Sequence, residues 1–569
     1  MKKTFMALSA FIVISGLIPC GMLSDKRPPQ KTLKSPFFGA GINNPLWMRS
    51  YSISNLEEAS AVRQTNDGSY IIGGYTHDQT NMHDLLLYKL SPYGRVLWQK
   101  RLGGSEYEAA TDIQQTYDGG YIVVGYKGSY TYENLNFWVL KFDENGNVVW
   151  QKEFGDIGSD TAYSVHQMTD EGYIIGGHVD SQQGNNEDAW ALKLFPDGSI
   201  EWNQVFGGSK IDEARCIRQT SDKGYVFCGK TSSEGRGGTD LMVIKLGINR
   251  EIEWQMGYGG TKDDAAYYIE QTNDKGYIVA GGTKSYGAGG EDMWILKLDF
   301  NGIAQWQLTY GGDYDDCAFS VQQIENQNYI VAGTVQKTSG GPKYIWLLQL
   351  DEAGGIEWQK IYGKNEDDYA YCARQTKGGG IITAGSTKSY SSAGTNIFVM
   401  KTDGEGNVDS TCDLSETFAP QITESSARWY ELDFVPRELS LISNQTNNPT
   451  QIPETKSTLI CWNYIQPPVN IVLGRQINRL LGFEEATNTL NWEASPENAG
   501  FTIKQYKIYR RNTFSGSKEF EHIATVSSGV YTYSDSGLIP DQIFQYAISS
   551  VDEMDLESPL SSPVDQTSD

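Results

Sequence analysis

Residues 264–306 read DAAYYIEQTNDKGYIVAGGTKSYGAGGEDMWILKLDFNGIAQW, and this stretch decides the fold. Segments rich in Val, Ile, Tyr and Trp alternate with Asn, Asp and Gly turns, and no helical period runs through them. The pattern predicts strands over 265–272, 277–281, 293–299 and 303–308, the last carrying Trp306. Asn301-Gly302 suits a tight hairpin because both residues tolerate the positive φ that such a turn demands.

The same unit recurs along the chain. Trp47, Trp98, Trp150, Trp202, Trp254, Trp306 and Trp358 are separated by 51, 52, 52, 52, 52 and 52 residues. Ten residues after each Trp stands an acid: Glu57, Glu108, Asp160, Asp212, Asp264, Asp316 and Asp368. Ala follows two positions later, Gln at seventeen and Gly at twenty-seven, from Ala59, Gln64 and Gly74 in the first copy to Ala370, Gln375 and Gly385 in the seventh. Four antiparallel strands in about 52 residues is one blade of a propeller. The expected fold is all-β: a seven-bladed β-propeller over 45–410. The seventh copy has Ser410 where Trp is due, while Leu46-Trp47-Met48-Arg49 precedes the first copy as an orphan fourth strand. That strand is expected to complete the last blade and remove two exposed sheet edges.

Composition limits the partners. Asp plus Glu minus Lys plus Arg is 71 − 46 over 569 residues, a net charge of −25 that repels nucleic acid and anionic lipid surfaces. Lys2 and Lys3 lead an apolar run from Phe5 to Ile18, which has the shape of a secretory signal over 1–20 and is short for a membrane span. An extracytoplasmic location follows, on the envelope, at the outer surface or secreted. Cys20 directly after the apolar run is a candidate for lipidation, as in a bacterial lipoprotein signal, although Pro19 departs from the small residue expected there. Ordinary cleavage nearby is the alternative. Residues 21–44 are read as a linker.

The hairpin-plus-Trp segments, such as 141–150 and 297–306, resemble the repeats of quinoprotein-like propellers, and Gly73-Gly74 before a distant Trp98 is similar to kelch repeats. Whole copies, with Gly-Gly-x-x-x-Asp after the Trp and Gln-Thr-x-Asp-Gly-Gly-Tyr later, resemble secreted bacterial and archaeal propeller-repeat proteins. The resemblance implies a fold and no particular activity, since propellers host many functions. It implies no quinone cofactor.

Residues 411–465 break the period and read as a connector, in which Cys412 and Cys461 could bridge in an oxidising compartment. Cys216 and Cys228 fall opposite each other in adjacent strands; with Cys317 and Cys372 they are read as buried thiols. Residues 466–569 resemble a fibronectin type III domain, with Trp492 in the second strand, an alternating Tyr506–Tyr509 strand and a Leu-x-Pro turn at 538–540 six residues before Phe544. The resemblance expects a corner tyrosine where Phe544 stands.

The ring of seven acids is expected near the mouth of the central channel. An acid at a strand entry can accept backbone and hydroxyl hydrogen bonds, which explains one per copy without a ligand. The alternative is a cation such as Ca²⁺ held by carboxylate oxygens. No other cofactor is expected. The five His residues share no phase; His166 occupies a position held elsewhere by Arg63, Gln114 or Arg218 and reads as a solvated strand residue. The loops at 75–83, 126–135, 178–187, 230–239, 282–291, 334–343 and 386–395 vary between copies and carry Tyr, Asn, Gln, Ser and Gly, as an adaptable binding rim requires. The expected function is non-enzymatic binding or adhesion, recognising an extracellular glycan or protein through one propeller face. Alternatives are a glycosidase or lyase using the acids, and an architectural envelope scaffold. A membrane is expected only through the N-terminal lipid.

Overall fold

The computed structural model describes residues 46–408 apart from 55, 78–81, 105, 129–133, 156–157, 181–185 and 392–393; beyond them it describes 421–425, 428–432, 456–462, 468–480, 483–495, 503–512, 520–538, 543–552 and a few later positions. The expected signal, linker, lipidated Cys20 and Cys412 lie outside the described residues, and so does the side chain of Cys461.

Apart from one parallel bridge between Leu56 and Thr395, the described strands of the repeats pair antiparallel; the first six repeats each build a four-stranded sheet and the seventh supplies three strands of another. In the fifth, Asp264–Gln271, Tyr277–Thr283, Asp292–Leu298 and Ala304–Gly311 lie in that order. The first turn is held by Asp274, whose Oδ1 accepts from Thr272 Oγ1 at 2.5 Å and Gly276 N at 3.0 Å, with Lys275 at φ 69°. Lys297 from the third strand caps the same carboxylate at 2.7 Å. The Gly twenty-seven residues after each Trp lies where the first strand bulges; at Gly281 a side chain would strike the Ala265 carbonyl.

The repeated Trp joins neighbouring sheets. Trp254 meets Tyr277 of the next sheet edge-on at 5.7 Å, and its Nε1 donates to Phe300 O at 3.1 Å in the next sheet's hairpin. Trp98–Tyr121, Trp150–Tyr173 and Trp306–Tyr329 repeat the edge-on contact at 5.9–6.2 Å. The repeated Gln does the same work at the axis. Gln115 Oε1 accepts from Asn66 N, Gln167 from Tyr117 N, Gln271 from Ser221 N and Gln323 from Asn273 N, each within 2.7–2.8 Å and each across a sheet boundary. The series closes on itself: Gln64 accepts from Lys377 N at 2.8 Å, joining the first repeat to the seventh.

The expected N-terminal strand is present. Trp47–Ser52 pairs antiparallel with Asn396–Thr402, Trp47 opposite Lys401 and Tyr51 opposite Ile397, so the last sheet has its fourth strand. The segment expected to be an irregular connector lays three strands on outer sheet edges. Gln421–Glu424 pairs with Ala304–Gly311, Arg428–Glu431 with Ile252–Gly259, and Lys456–Trp462 with Trp47–Ser52. Outer edges carry unpaired backbone donors and acceptors, and even four-residue segments can satisfy them.

The C-terminal region forms two sheets. Val469–Leu480, Phe483–Glu493 and Thr532–Leu538 make one; Glu521–Ser527, Ile503–Asn512, Phe544–Asp552 and Val564–Asp565 make the other. Leu490, Trp492, Tyr506, Ile508, Phe544 and Ile548 are among the buried residues of their shared core. Two residues beyond Phe544, the buried Tyr546 hydroxyl donates to Asp535 Oδ2 at 2.7 Å and accepts from Asn488 Nδ2 at 2.9 Å. Phe544 is buried beside it, with the Arg510 guanidinium 4.8 Å over its ring.

Candidate functional site

The seven acids stand at the entry of the first strands, almost completely buried. Asp316 accepts from Gly312 N and Gln336 N, both at 2.8 Å. Asp212 accepts from Gly208 N at 2.9 Å and Ser233 Oγ at 2.6 Å, and Asp264 from Gly260 N at 2.9 Å, Ser285 N at 3.2 Å and the Thr283 hydroxyl. Asp368 accepts from Thr387 Oγ1 and Ser389 Oγ, both at 2.5 Å, while Asp160 takes Asp180 N at 3.0 Å. Glu57 takes the amides of Ile53 and Ser54. These carboxylates tie their own repeat's loops together. Glu108, like Glu57 and Asp212, has a buried oxygen with no partner, and burial pushes its pKa up to about 8 against the pull of Lys127.

A cavity of about 410 Å³ lies at the opposite end of the first strands from the acids, and none of the seven lines it. Its wall is built from the position sixteen after each Trp: Arg63, Gln114, His166, Arg218, Glu270, Gln322 and Arg374, one from every repeat. His166 is therefore a cavity residue and not a solvated one; burial, then Arg218 and Arg63, lowers its pKa to about 3 and keeps the ring neutral.

At the acid end, the first strands present a different surface. The position thirteen after each Trp holds Tyr163, Arg215, Tyr267, Phe319 and Tyr371 in repeats three to seven, all half-buried. Tyr267 and Phe319 are 5.4 Å apart, as are Phe319 and Tyr371, and Tyr371 stacks on Tyr369 at 5.7 Å. The Tyr371 hydroxyl donates to Glu58 Oε2 at 3.3 Å. The belt continues into the first repeat, where Tyr75 stacks on His83 at 4.5 Å, and into the second, where the Tyr126 hydroxyl lies 2.8 Å from His83 Nδ1. On the other side the Arg215 guanidinium lies 4.0 Å over the Tyr163 ring. The second strands end here, so the belt adjoins the variable loops that leave them.

Polar groups interrupt the belt. Glu213 is held by Lys230 at 2.9 Å and by Arg215, which outweigh its burial and lower its pKa. Beside it, burial and then Glu213 push Glu187 up to about 7. His178, Glu187 and Glu213 come within 4.8 Å of one another, the one grouping among the described residues with the spacing of a metal site. Glu213 already spends its oxygens on two cations, so no metal is assigned. Burial lowers the His178 pKa to about 4.

The four described cysteines are buried and free; Cys216 and Cys228 face each other across paired strands without a disulfide. Among the described residues, no helix is long and apolar enough to cross a membrane.

No known family's sequence profile matches the chain. Over 95 residues, 17% of its length, it is 32% identical to an amylopullulanase of Thermoanaerobacter thermohydrosulfuricus and spans 6% of that protein. Among solved structures, a puromycin hydrolase is similar over 76% of this chain and 58% of its own, at 12% identity and a TM-score of 0.37. Domains of titin are similar over 58% of this chain and 94% of theirs, at 10% identity and a TM-score of 0.15.

Proposed function

We propose that the chain is an exported, surface-anchored binding protein that recognises a glycan through the aromatic face of a seven-bladed propeller, with a fibronectin type III-like sandwich at its C-terminus. Seven sheets in sequence, the N-terminal strand completing the seventh and the Gln64–Lys377 bond between first and last repeats support the closed ring.

The observation that carries the function is the belt from Tyr163 through Tyr267, Phe319 and Tyr371 to Tyr75 and Tyr126. Half-buried rings offer flat apolar surface against which the C–H face of a pyranose packs, while their hydroxyls and Glu58 take its hydroxyl groups. Rings fixed by packing on one another bind at low entropic cost. Six of the repeated acids accept from loop amides or hydroxyls, which favours binding over hydrolysis; a glycosidase needs two carboxylates set apart by their surroundings.

Glycan-array binding by purified residues 21–569 tests the proposal. Wild type is expected to bind a restricted set of glycans, and Tyr267→Ala combined with Phe319→Ala to lose that binding while keeping its melting temperature within a few degrees. Absence of glycan binding, or equal binding by the double variant, would overturn it. Polysaccharide breakdown lost in Asp264→Asn would replace it with the enzymatic reading.

A further inference from the structure

We propose that the axial cavity at the opposite end of the first strands is a second ligand site, built for the oxyanion group of a small solute: a carboxylate, sulfate or phosphate. This inference does not depend on glycan binding at the aromatic face.

The cavity runs against the charge of the chain. In a protein of net charge −25, it gathers three guanidiniums, Arg63, Arg218 and Arg374, on one axis. Packing does not demand them, because other repeats place Gln, His or Glu at the same position. Each arginine does use one nitrogen to brace the ring. Nη1 donates to the carbonyl of the preceding residue and to a side chain of the preceding repeat: Cys372 Sγ at 3.1 Å for Arg63, Ser164 Oγ at 2.9 Å for Arg218 and Ser320 Oγ at 2.7 Å for Arg374. The brace leaves the other edge of each guanidinium for a second partner.

Those second partners are unequal. Arg63 Nη2 is paired with Asp112 at 2.9 Å. Arg218 Nη2 meets only the neutral Tyr268 hydroxyl, at 2.8 Å. Arg374 is only 7% exposed, and beyond its brace it has no hydrogen-bonding or ionic partner among the described residues. The Tyr268 ring lies between the last two, 4.9 Å from the Arg218 guanidinium and 4.5 Å from that of Arg374. Glu270 lines the same cavity and feels the charge of Arg374, Arg218 and Arg63, but forms a direct ion pair with none of them, so no carboxylate among the described residues occupies the open edges of Arg218 and Arg374.

Buried guanidiniums need a counter-charge. Their planar fork matches two oxygens of a carboxylate, sulfate or phosphate. A volume of about 410 Å³ is at the small end of ligand pockets, which fits a compact solute rather than a polymer. Neutral His166 and the glutamines supply hydrogen bonds around the charged centre.

Isothermal titration of the purified chain with sulfate, inorganic phosphate, citrate and glucuronate, with chloride as control, tests the site and separates its ligand sources. One saturable site is expected for at least one of the four oxyanions, with affinity falling as salt rises. Arg374→Gln should weaken it at least tenfold. Because that change also removes a brace, Gln322→Glu is the second variant: Glu can still accept the Gln375 amide that Gln322 accepts now, while its charge repels the anion, so binding should again drop at least tenfold. No saturable binding by any of the four, or binding indifferent to both variants, would overturn the proposal.

Discussion

Glu108 shows at single-residue scale what the fold does to a repeated acid. Its carboxyl is 4% exposed, and burial raises its pKa to about 8, against roughly 4.3 in an unfolded chain. A raised carboxyl favours the folded state below the unfolded value, and that contribution is lost as pH climbs through the folded one. The chain should therefore melt at a lower temperature at pH 9 than at pH 5. Glu108→Gln removes the titrating group, so its melting temperature should exceed wild type at pH 9 and equal it at pH 5. Calorimetry at the two values checks this, and a variant whose pH slope matches wild type would place the penalty elsewhere. Asp316, pushed up to about 7 by burial, adds a smaller loss of the same sign.

At the scale of the element, the hairpin between third and fourth strands ties one sheet to the next. Gly302 sits at φ 80°, and a Cβ there would lie 2.8 Å from the Trp254 ring. Gly302→Ala combines a left-handed backbone with a clash, and should cost about 2 kcal/mol or more, read as a fall in the denaturant midpoint. An unchanged midpoint would mean that the hairpin can slide away from the indole. This element was legible in the sequence because Trp recurs in phase and Gly stands at the same hairpin position in six of the seven copies, and each marks a local geometric demand. The edge strands at 421–424 and 428–431 were not, since four residues carry no period and their partners lie more than a hundred positions away. The aromatic belt and the arginine cavity were hidden for a different reason. Both are phased positions, thirteen and sixteen after the Trp, but identity varies there from copy to copy. Only the folded repeats bring Arg63, Arg218 and Arg374 into one space, so His166 read as a solvated strand residue.

At the scale of the whole molecule, the first strand holds the two ends of the repeat array together. Trp47–Ser52 has Asn396–Thr402 on one side and Lys456–Trp462 on the other. Deleting 45–52 uncovers both partners and buried Trp47, Met48 and Tyr51 lose their place in the core. The truncated chain should lose its single cooperative unfolding transition and aggregate on heating; a melting temperature equal to that of the full chain would contradict closure.

That arrangement also dictates an order of events during synthesis. The Gln64–Lys377 bond spans 313 residues, and the strand flanking Trp47–Ser52 comes later still. Early repeats can stack as they emerge, yet the seventh sheet must wait until residue 402 is free to pair with the first strand. Until then Trp47 has no seat. A polypeptide interrupted anywhere before that point leaves the first strand and the last sheet with unpaired edges, which makes the stretch before residue 402 the interval in which chaperones and proteases decide its fate.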